Sequence, residues 1–435
     1  MIRVLIPYSR TLYYNDKGRE RGIAVELVRD FERYLNKKHA RKLQKRPITV
    51  IVIPVTRDVL IEDVAKGLGD IAAGNLTETG SRLKRVDFVA PRDRKPVSEL
   101  VVTGPASAAI ASIDDLAGKR FHARKSSSYY TSLVALNKEF RKRRKAQIKL
   151  TLVPDALEDE DLMEMLNAGL MELIVVDDWK ARLWARVLPK IKVSDVAIAE
   201  GGYTGWAIRK GSPKLAEEVK GFYVKWAKRQ GVIEYRIAQY YKRIKLISNN
   251  TAEAAWKRLE QMVGLFKKYG AQYQFDPLML AAQGYQESRL RQDVRSPVGA
   301  IGVMQLMPAT GAAMKVGNIT ILEPNIHAGA KYMDHLMSTY FPDARFNEQN
   351  RTLFALASYN AGPGRIVQMR KLAQKRGLDN DEWFNNVELV VAEKVGIETT
   401  TYVRNIFKYY IAYKLQLEIL EERRKAREKL TPAAK

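Results

Sequence analysis

The chain contains no cysteine. That excludes disulfides, zinc–thiolate sites and any lipid anchor attached through a cysteine of this chain. No apolar run reaches 18 residues, so no membrane-spanning helix is expected. Acidic residues are scarce: 49 Asp and Glu face 74 Lys and Arg, a formal net charge of +25. Basic runs such as Lys37-Lys38-His39-Ala40-Arg41-Lys42 and Arg141-Lys142-Arg143-Arg144-Lys145 concentrate this excess. Such runs suit nucleic acid, anionic envelope polymers or lipid headgroups, or they form an ordinary solvated face. No helix-turn-helix, zinc-finger or RNA-binding aromatic pattern accompanies them, so no nucleic-acid partner is expected. Internal repeats and low-complexity segments are also absent. No metal and no cofactor is expected.

What is present is a chain of 435 residues, 46% hydrophobic, long enough for two or three domains with substantial cores. It opens on a strand signal, Met1-Ile2-Arg3-Val4-Leu5-Ile6, with no secretory-leader pattern, so a leader is expected to have been trimmed or to lie upstream. Strand and helix signals then alternate. Arg3 to Pro7, Ile48 to Val55 and Gly69 to Gly74 read as strands. Ile23, Leu27, Phe31 and Leu35 fall on one helical face, and Asp58 to Gly67 reads as a second helix. Such alternation predicts α/β layers. Leu173-Ile174-Val175-Val176-Asp177 reads as a buried strand ending in an acid. Leu215, Val219, Phe222 and Trp226 mark an amphipathic helix, and a closing helix is expected over 231–246. Ser248-Asn249-Asn250-Thr251 is a polar break suited to a linker. The end, from Leu417, reads as a charged helix running into a Pro-Ala-Ala-Lys tail.

The richest stretch runs from Asp276 to Thr310. Asp276 can cap a helix that Pro277 opens, with Leu278, Ala281, Ala282 and Tyr285 at helical spacing. Glu287 closes that helix and is followed by a Gly-rich loop, Ser296-Pro297-Val298-Gly299 to Gly302-Val303-Met304-Gln305-Leu306-Met307-Pro308. A lone Glu at a helix end is ordinarily a solvated surface group. On an apolar helix facing an amide-bearing loop, its carboxyl pKa would be raised, which suits a general acid.

Four motifs stand in order around it: Glu287-Ser288, Ser296 to Thr310, Asn325 to Tyr332, and the Y-N-A-G-x-G of Tyr359 to Gly364. This pattern closely resembles the soluble-lytic-transglycosylase catalytic domain, a lysozyme-like, mainly α fold that cleaves peptidoglycan. The resemblance covers about residues 260–415. It implies Glu287 as the catalytic residue. Ser288, Met304, Gln305, Tyr359, Asn360, Glu398 and Tyr402 are the implied substrate-binding set, although Met304, Leu306 and Met307 also read as core. Glu398 to Val403 resembles the family's E-T-R-x-Y-V segment, with Thr400 in place of Arg. Gly69 to Arg82, ending in Val86-Asp87-Phe88, is similar to the first lobe of the periplasmic amino-acid-binding proteins, and Ile113 to Phe121 is similar to the entry into their second lobe. That likeness implies an α/β two-lobe domain in which Arg82 takes a ligand carboxylate, Asp177 its ammonium group, and Thr77, Thr79 and Ser128 lie near. Ser126 replaces the family's usual Gly, and Asp178 adjoins Asp177.

The order of the two modules resembles the membrane-bound lytic murein transglycosylase F family. The expected organisation is a two-lobe regulatory domain over 1–247 (lobe 1 about 1–105 and 205–247, lobe 2 about 106–204). A catalytic domain over 254–420 and a charged tail over 421–435 follow. The resemblance implies a periplasmic enzyme, peripherally attached to the outer membrane. It would cleave the MurNAc–GlcNAc bond with a single Glu and be regulated by an amino acid or muropeptide. Two other readings stay open: an amino-acid-binding protein with a wall-docking C-terminal domain, and a hydrolytic lysozyme needing a second carboxylate, Glu398 or Asp293.

Overall fold

The computed structural model describes residues 1–16, 19–43, 47–90, 95–105, 107–227, 235–237 and 253–430. It divides into two compact units, one of Met1–Asn167 with Glu172–Ser248, the other of Ala168–Met171 with Asn249–Lys435. The closing helix expected over 231–246 and the linker at 248–251 fall largely outside the described residues.

The first unit holds twelve described strands: β1 Ile2–Pro7, β2 Tyr14–Asp16, β3 Arg19–Arg21, β4 Val50–Val55, β5 Ile71–Thr77, β6 Val86–Val89, β7 Val97–Thr103, β8 Arg120–Ala123, β9 Lys149–Leu152, β10 Leu173–Asp177, β11 Lys192–Gly202 and β12 Thr204–Arg209. They form two five-stranded sheets, ordered β4-β1-β5-β12-β6 and β11-β7-β10-β8-β9, plus a small β2-β3 hairpin. In the first sheet β1 runs parallel to β4 and β5, while β12 is antiparallel to β5 and β6. The chain thus crosses between sheets twice, between β6 and β7 and between β11 and β12. The lobe boundary expected at residue 105 is corrected by this pairing. β7 bonds to β10 and β11, so lobe 2 begins at Val97, because an apolar strand joins whichever sheet offers it a ladder.

Each sheet has its own core. In the first, the helix Ile23–Lys38 lays Val28, Phe31 and Leu35 on the sheet, while Leu27 is only partly buried. Trp206 stacks on Phe222 with centroids 5.8 Å apart, and Phe31 meets Trp206 edge-on at 5.5 Å. Burying such rings supplies much of the stabilisation, about 25 cal/mol per Å² of apolar surface. β10 is buried along its whole length, as its continuous apolar run predicts for an inner strand.

Buried ion pairs tie the two lobes to each other. Arg57 of lobe 1 donates to both carboxylate oxygens of Glu158 in lobe 2, at 2.7 and 3.0 Å. Arg10 pairs with Asp161 at 2.7 Å and Glu164 at 3.0 Å, and Ser9 donates to Glu160 at 2.8 Å. Within lobe 2, Asp159 is held between Arg124 and Lys180.

The second unit is helical among its described residues. The helices are Glu253–Tyr273, Pro277–Ser288, Pro308–Met314, Leu322–Tyr340, Glu348–Ala361, Pro363–Lys375, Glu388–Lys394 and the long Ile397–Leu430. That last helix carries on past residue 420, where a separate tail is expected.

Removing one partner of a buried pair strands the other charge. Glu158→Ala should therefore lower the stability of the full chain's N-terminal unit by about 3–5 kcal/mol in urea unfolding. The exposed pair Lys142–Glu139 is the contrast, and Lys142→Ala should leave the midpoint unchanged. Equal effects of the two substitutions would refute the buried-latch account.

Candidate active site

The site is built on the helix Pro277–Ser288. Asp276 opens it by accepting the Leu278 N–H at 2.8 Å, with Pro277 at the first helical position, as the sequence predicts. Met279 to Tyr285 are all buried, so the helix delivers its last turn to the edge of a packed core. It ends sharply, since Arg289 and Leu290 both adopt left-handed backbone, with φ of 58° and 59°. Gly284 is a close-approach position, because a Cβ there would stand 2.8 Å from the Val303 side chain. Its bare backbone lets the loop after the helix pack against the last turn.

That loop is pinned from three sides. Fully buried Asn325 accepts the Met304 N–H at 2.8 Å and donates to Ile301 O and Ile319 O at 2.9 Å each. Gln292 accepts from Val303 N at 3.2 Å. Ser288 lies 3.1 Å from Gly284 O and 3.0 Å from Val303 O, and accepts the Arg291 N–H at 3.0 Å.

At the end of the helix the Glu287 carboxyl meets Tyr402, whose hydroxyl donates to Glu287 Oε1 at 2.6 Å. Tyr402 comes from the helix Ile397–Leu430, 115 residues along the chain, and is itself buried. Burial pushes the Glu287 carboxyl up to about 7, against the opposing pull of the Tyr402 hydroxyl bond. Tyr359 closes the surroundings. Its hydroxyl donates to Met304 O at 2.7 Å, its ring meets Tyr332 edge-on at 5.3 Å, and its own ionisation is pushed up by burial and by the Glu287 charge. The arrangement places a carboxyl that stays protonated close to neutrality beside a phenol able to stabilise its anion.

The other expected site residues are placed as follows. Ser288 is 6% exposed and its hydroxyl fastens the loop to the helix. The Met304 side chain is fully buried and packs against Gly329, where a Cβ would come within 2.7 Å of it. It is core, and only its carbonyl reaches the Tyr359 edge of the site. Half-buried Gln305 adopts φ of 46° and donates its amide to Gly302 O at 2.8 Å, which braces the loop. Asn360 and Glu398 are exposed, and Asn360 accepts a bond from Thr399 at 2.8 Å. Asp293 is exposed and paired with Arg291, whose guanidinium holds its carboxyl below the usual range.

One residue of the site escapes motif reading. Gln283, fully buried one turn before Glu287, has both amide atoms without a close hydrogen bond, and its amide faces the Tyr402 hydroxyl. The signal was a polar residue interrupting an apolar helical run, Leu280-Ala281-Ala282-Gln283.

In the first unit, four of the five expected ligand residues, Thr77, Thr79, Ser128 and Asp177, line one interlobe cavity of about 230 Å³. Arg82 lies beside it, where its guanidinium donates to Thr77 O at 2.9 Å and Ser126 O at 3.1 Å. Asn75, in left-handed backbone at φ 51°, donates to Asp177 at 2.8 Å. Burial pushes the Asp177 carboxyl up to about 6, with the Lys180 charge opposing.

The comparisons find two modules in the chain. Residues 264–383 match the Transglycosylase SLT domain. Residues 2–243, more than half of the chain, match the bacterial extracellular solute-binding proteins, family 3. The chain belongs to that family. Its second module is a transglycosylase SLT domain. A protein of Pseudomonas fluorescens (strain Pf0-1) named membrane-bound lytic murein transglycosylase F is 27% identical over 429 residues, 94% of this chain and 84% of that one. The protein of the same name from Pseudomonas putida (strain W619) is 28% identical over the same shares. Among solved structures, an ancestral arginine-binding protein bound to arginine is 20% identical and covers 55% of this chain and 97% of its own, with a TM-score of 0.44.

The Glu287 environment has a consequence for stability. Its carboxyl titrates above the ordinary 4.5, so the folded chain holds a proton that the unfolded chain releases. Stability is therefore lost as pH rises from about 4.5 to about 7. Glu287→Gln abolishes this titration. It should be nearly neutral at about pH 4 and stabilise by on the order of 3 kcal/mol at about pH 8. Calorimetric unfolding at both pH values is the check, and an effect independent of pH would contradict it.

Proposed function

We propose that the chain is a lytic murein transglycosylase in which Glu287 alone moves the proton. Neutral Glu287 protonates the glycosidic oxygen as it leaves C1 of MurNAc. The resulting carboxylate then takes the proton of the same sugar's C6 hydroxyl, whose oxygen bonds to C1. Atoms balance without water, and the product is a 1,6-anhydro sugar. The observation that carries this reading is the half-buried Glu287 carboxyl, raised by desolvation, with Tyr402 as its hydrogen-bond partner. Both reserve acids for a hydrolytic lysozyme speak for the same choice. Glu398 is exposed, and Asp293 is exposed and neutralised by Arg291. In this reading Tyr359 and Gln305 shape the cleft wall, while Asn360, Glu398 and Tyr402 border the substrate.

The solute-binding module is proposed to hold an amino acid or cell-wall peptide between its lobes and to change the cleavage rate when it does so. The similar proteins are named membrane-bound, which supports attachment to a membrane, and with it a place in the periplasm at the outer membrane is proposed. No described helix is long and apolar enough to cross a membrane, and the +25 charge supports peripheral attraction to anionic surfaces.

Glu287→Gln should lower turnover of purified sacculi by about 10²–10⁴-fold, the usual worth of a general acid–base group. Wild-type products should be 1,6-anhydro-muropeptides by mass spectrometry. Products that borohydride reduces would instead favour hydrolysis.

The rate should also fall as pH rises through about 7, where Glu287 loses its proton. The Tyr402 hydroxyl favours the anion, so Tyr402→Phe should move this alkaline limb to higher pH while lowering the maximum rate. A limb that stays put would remove Tyr402 from contact with the titrating group.

A further inference from the structure

Gln283 is a buried polar side chain of the second module that the proposed reaction leaves without a task. It lies one turn before Glu287 on the helix Pro277–Ser288, and residues four apart share a helical face. Helical side chains lean toward the N-terminus, which carries the Glu287 side chain toward Gln283 rather than away from it. Leu280, Ala281 and Ala282 before it are buried apolar residues, and Gln283 itself is 0% exposed. Neither of its amide atoms has a hydrogen-bond partner at ordinary distance. A buried amide in that state opposes folding, so stability does not account for an amide at this position.

The group it faces is Tyr402. That phenol is 7% exposed and gives its one proton to Glu287 Oε1 at 2.6 Å. Burial and the Glu287 charge push its ionisation well above the ordinary range, so it stays a phenol near neutrality, while the Gln283 amide pulls the other way. An amide does this by donating to the phenol oxygen, since such a bond favours the anion. A hydroxyl has one proton and two acceptor sites. With the proton committed to Glu287, only the acceptor sites are left for Gln283, and its NH₂ end is the one that fits them. Tyr359, the other phenol at the site, is engaged elsewhere, because its hydroxyl donates to Met304 O at 2.7 Å.

We propose that Gln283 is a positioning residue of the transglycosylase site: its amide donates to the Tyr402 oxygen, turns the phenol's proton toward Glu287 and so strengthens the bond that stabilises the Glu287 carboxylate. The inference rests on the reading of Glu287 as the single proton-transfer group and extends that group by one member. Hydrogen bonds in series polarise one another, so a phenol that accepts a bond is a better donor to the carboxylate. The gain is largest when Glu287 is ionised, because the acceptor is then charged. Gln283, fully buried, does not touch the sugar in this arrangement and acts through Tyr402 alone.

The test is the pH profile of turnover on purified sacculi by the full chain, for wild type, Gln283→Met, Tyr402→Phe and the double variant. Methionine is close to glutamine in length, lacks the amide and suits a buried apolar helix, so thermal unfolding of Gln283→Met should be unchanged or shifted upward. Weaker stabilisation of the anion raises the Glu287 pKa. The alkaline limb of Gln283→Met should therefore move up by about half a pH unit, and its maximum rate should fall about threefold. In the Tyr402→Phe background the same substitution should change neither, because the phenol it acts through is gone. Gln283→Leu, a second apolar replacement, should reproduce the Gln283→Met limb. A Gln283→Met limb that coincides with wild type, while Tyr402→Phe still moves it, would overturn the inference and leave the Glu287 reading standing. An equal shift in both backgrounds would overturn it too, since Gln283 would then act on Glu287 without Tyr402. A wild-type profile with no alkaline limb, or a Glu287→Gln chain that cleaves at the wild-type rate, would overturn both.

Discussion

The second module is organised around a half-buried carboxyl whose partner, among the described residues, is a phenol rather than a cation. Placing Glu287 in apolar surroundings disfavours its ionised form, so the group stays protonated near neutrality rather than drawing in a Lys or Arg. Much of the surrounding architecture keeps it that way. Asp276 and Pro277 start the helix in register, the run Met279 to Tyr285 buries it, and Gly284 admits the loop that Asn325 and Ser288 then fasten. The polar group bonded to the carboxyl among the described residues is a phenol, which can stabilise the anion without fixing it by full charge pairing.

The first module meets the same physical problem in two ways. Glu158 and Asp159 are buried against Arg57, Arg124 and Lys180, and those cations hold both carboxyls below their ordinary range. Glu99 and Asp177 are buried a short distance away with much less compensation, and theirs are raised. The Arg57–Glu158 pair joins the lobes, and Arg124 and Lys180 fix Asp159 within lobe 2. The less matched acids, Glu99 and Asp177, each keep one oxygen without a hydrogen-bond partner. The two groups share one interlobe region, so closing the lobes and leaving part of the cleft unsatisfied are compatible because the charges are sorted residue by residue.

Much of this was legible in the sequence. The cap at Asp276, the apolar helix and the position of Glu287 follow from local propensity and periodicity, which act over a few residues. The α/β alternation and the buried β10 follow in the same way. What did not follow depends on pairing over long distances or on which way a side chain turns. β7 could have joined either sheet, and only its ladder with β10 and β11 decides. Motif spacing located Ser288 and Met304 beside the carboxyl but did not tell that one fastens the loop and the other fills the core. The Tyr402–Glu287 bond spans 115 residues, so its motif could be seen while the contact could not. Gln283 carried only a weak signal, and its meaning depends on Tyr402 being packed against it.

A single group that first gives and then takes a proton is constrained by both steps. A surface Glu would be a poor acid at neutral pH because it is already ionised, and a poor base because its anion is well solvated. Burial changes both in the useful direction, since it keeps the acid protonated and makes the anion more basic. Carried too far, it would make the anion inaccessible and stop the cycle after the first transfer. The Tyr402 hydroxyl sets the limit. Its bond to Glu287 strengthens when the proton leaves, because hydrogen bonds to an ionised acceptor are roughly twice as strong as neutral ones. In the proposed cycle it therefore stabilises the intermediate carboxylate selectively, and holds the pKa near 7 where burial alone would drive it higher. A cation in the same place would do this too strongly and leave the group ionised from the start. A neutral phenol is thus the partner that lets one carboxyl serve in both directions.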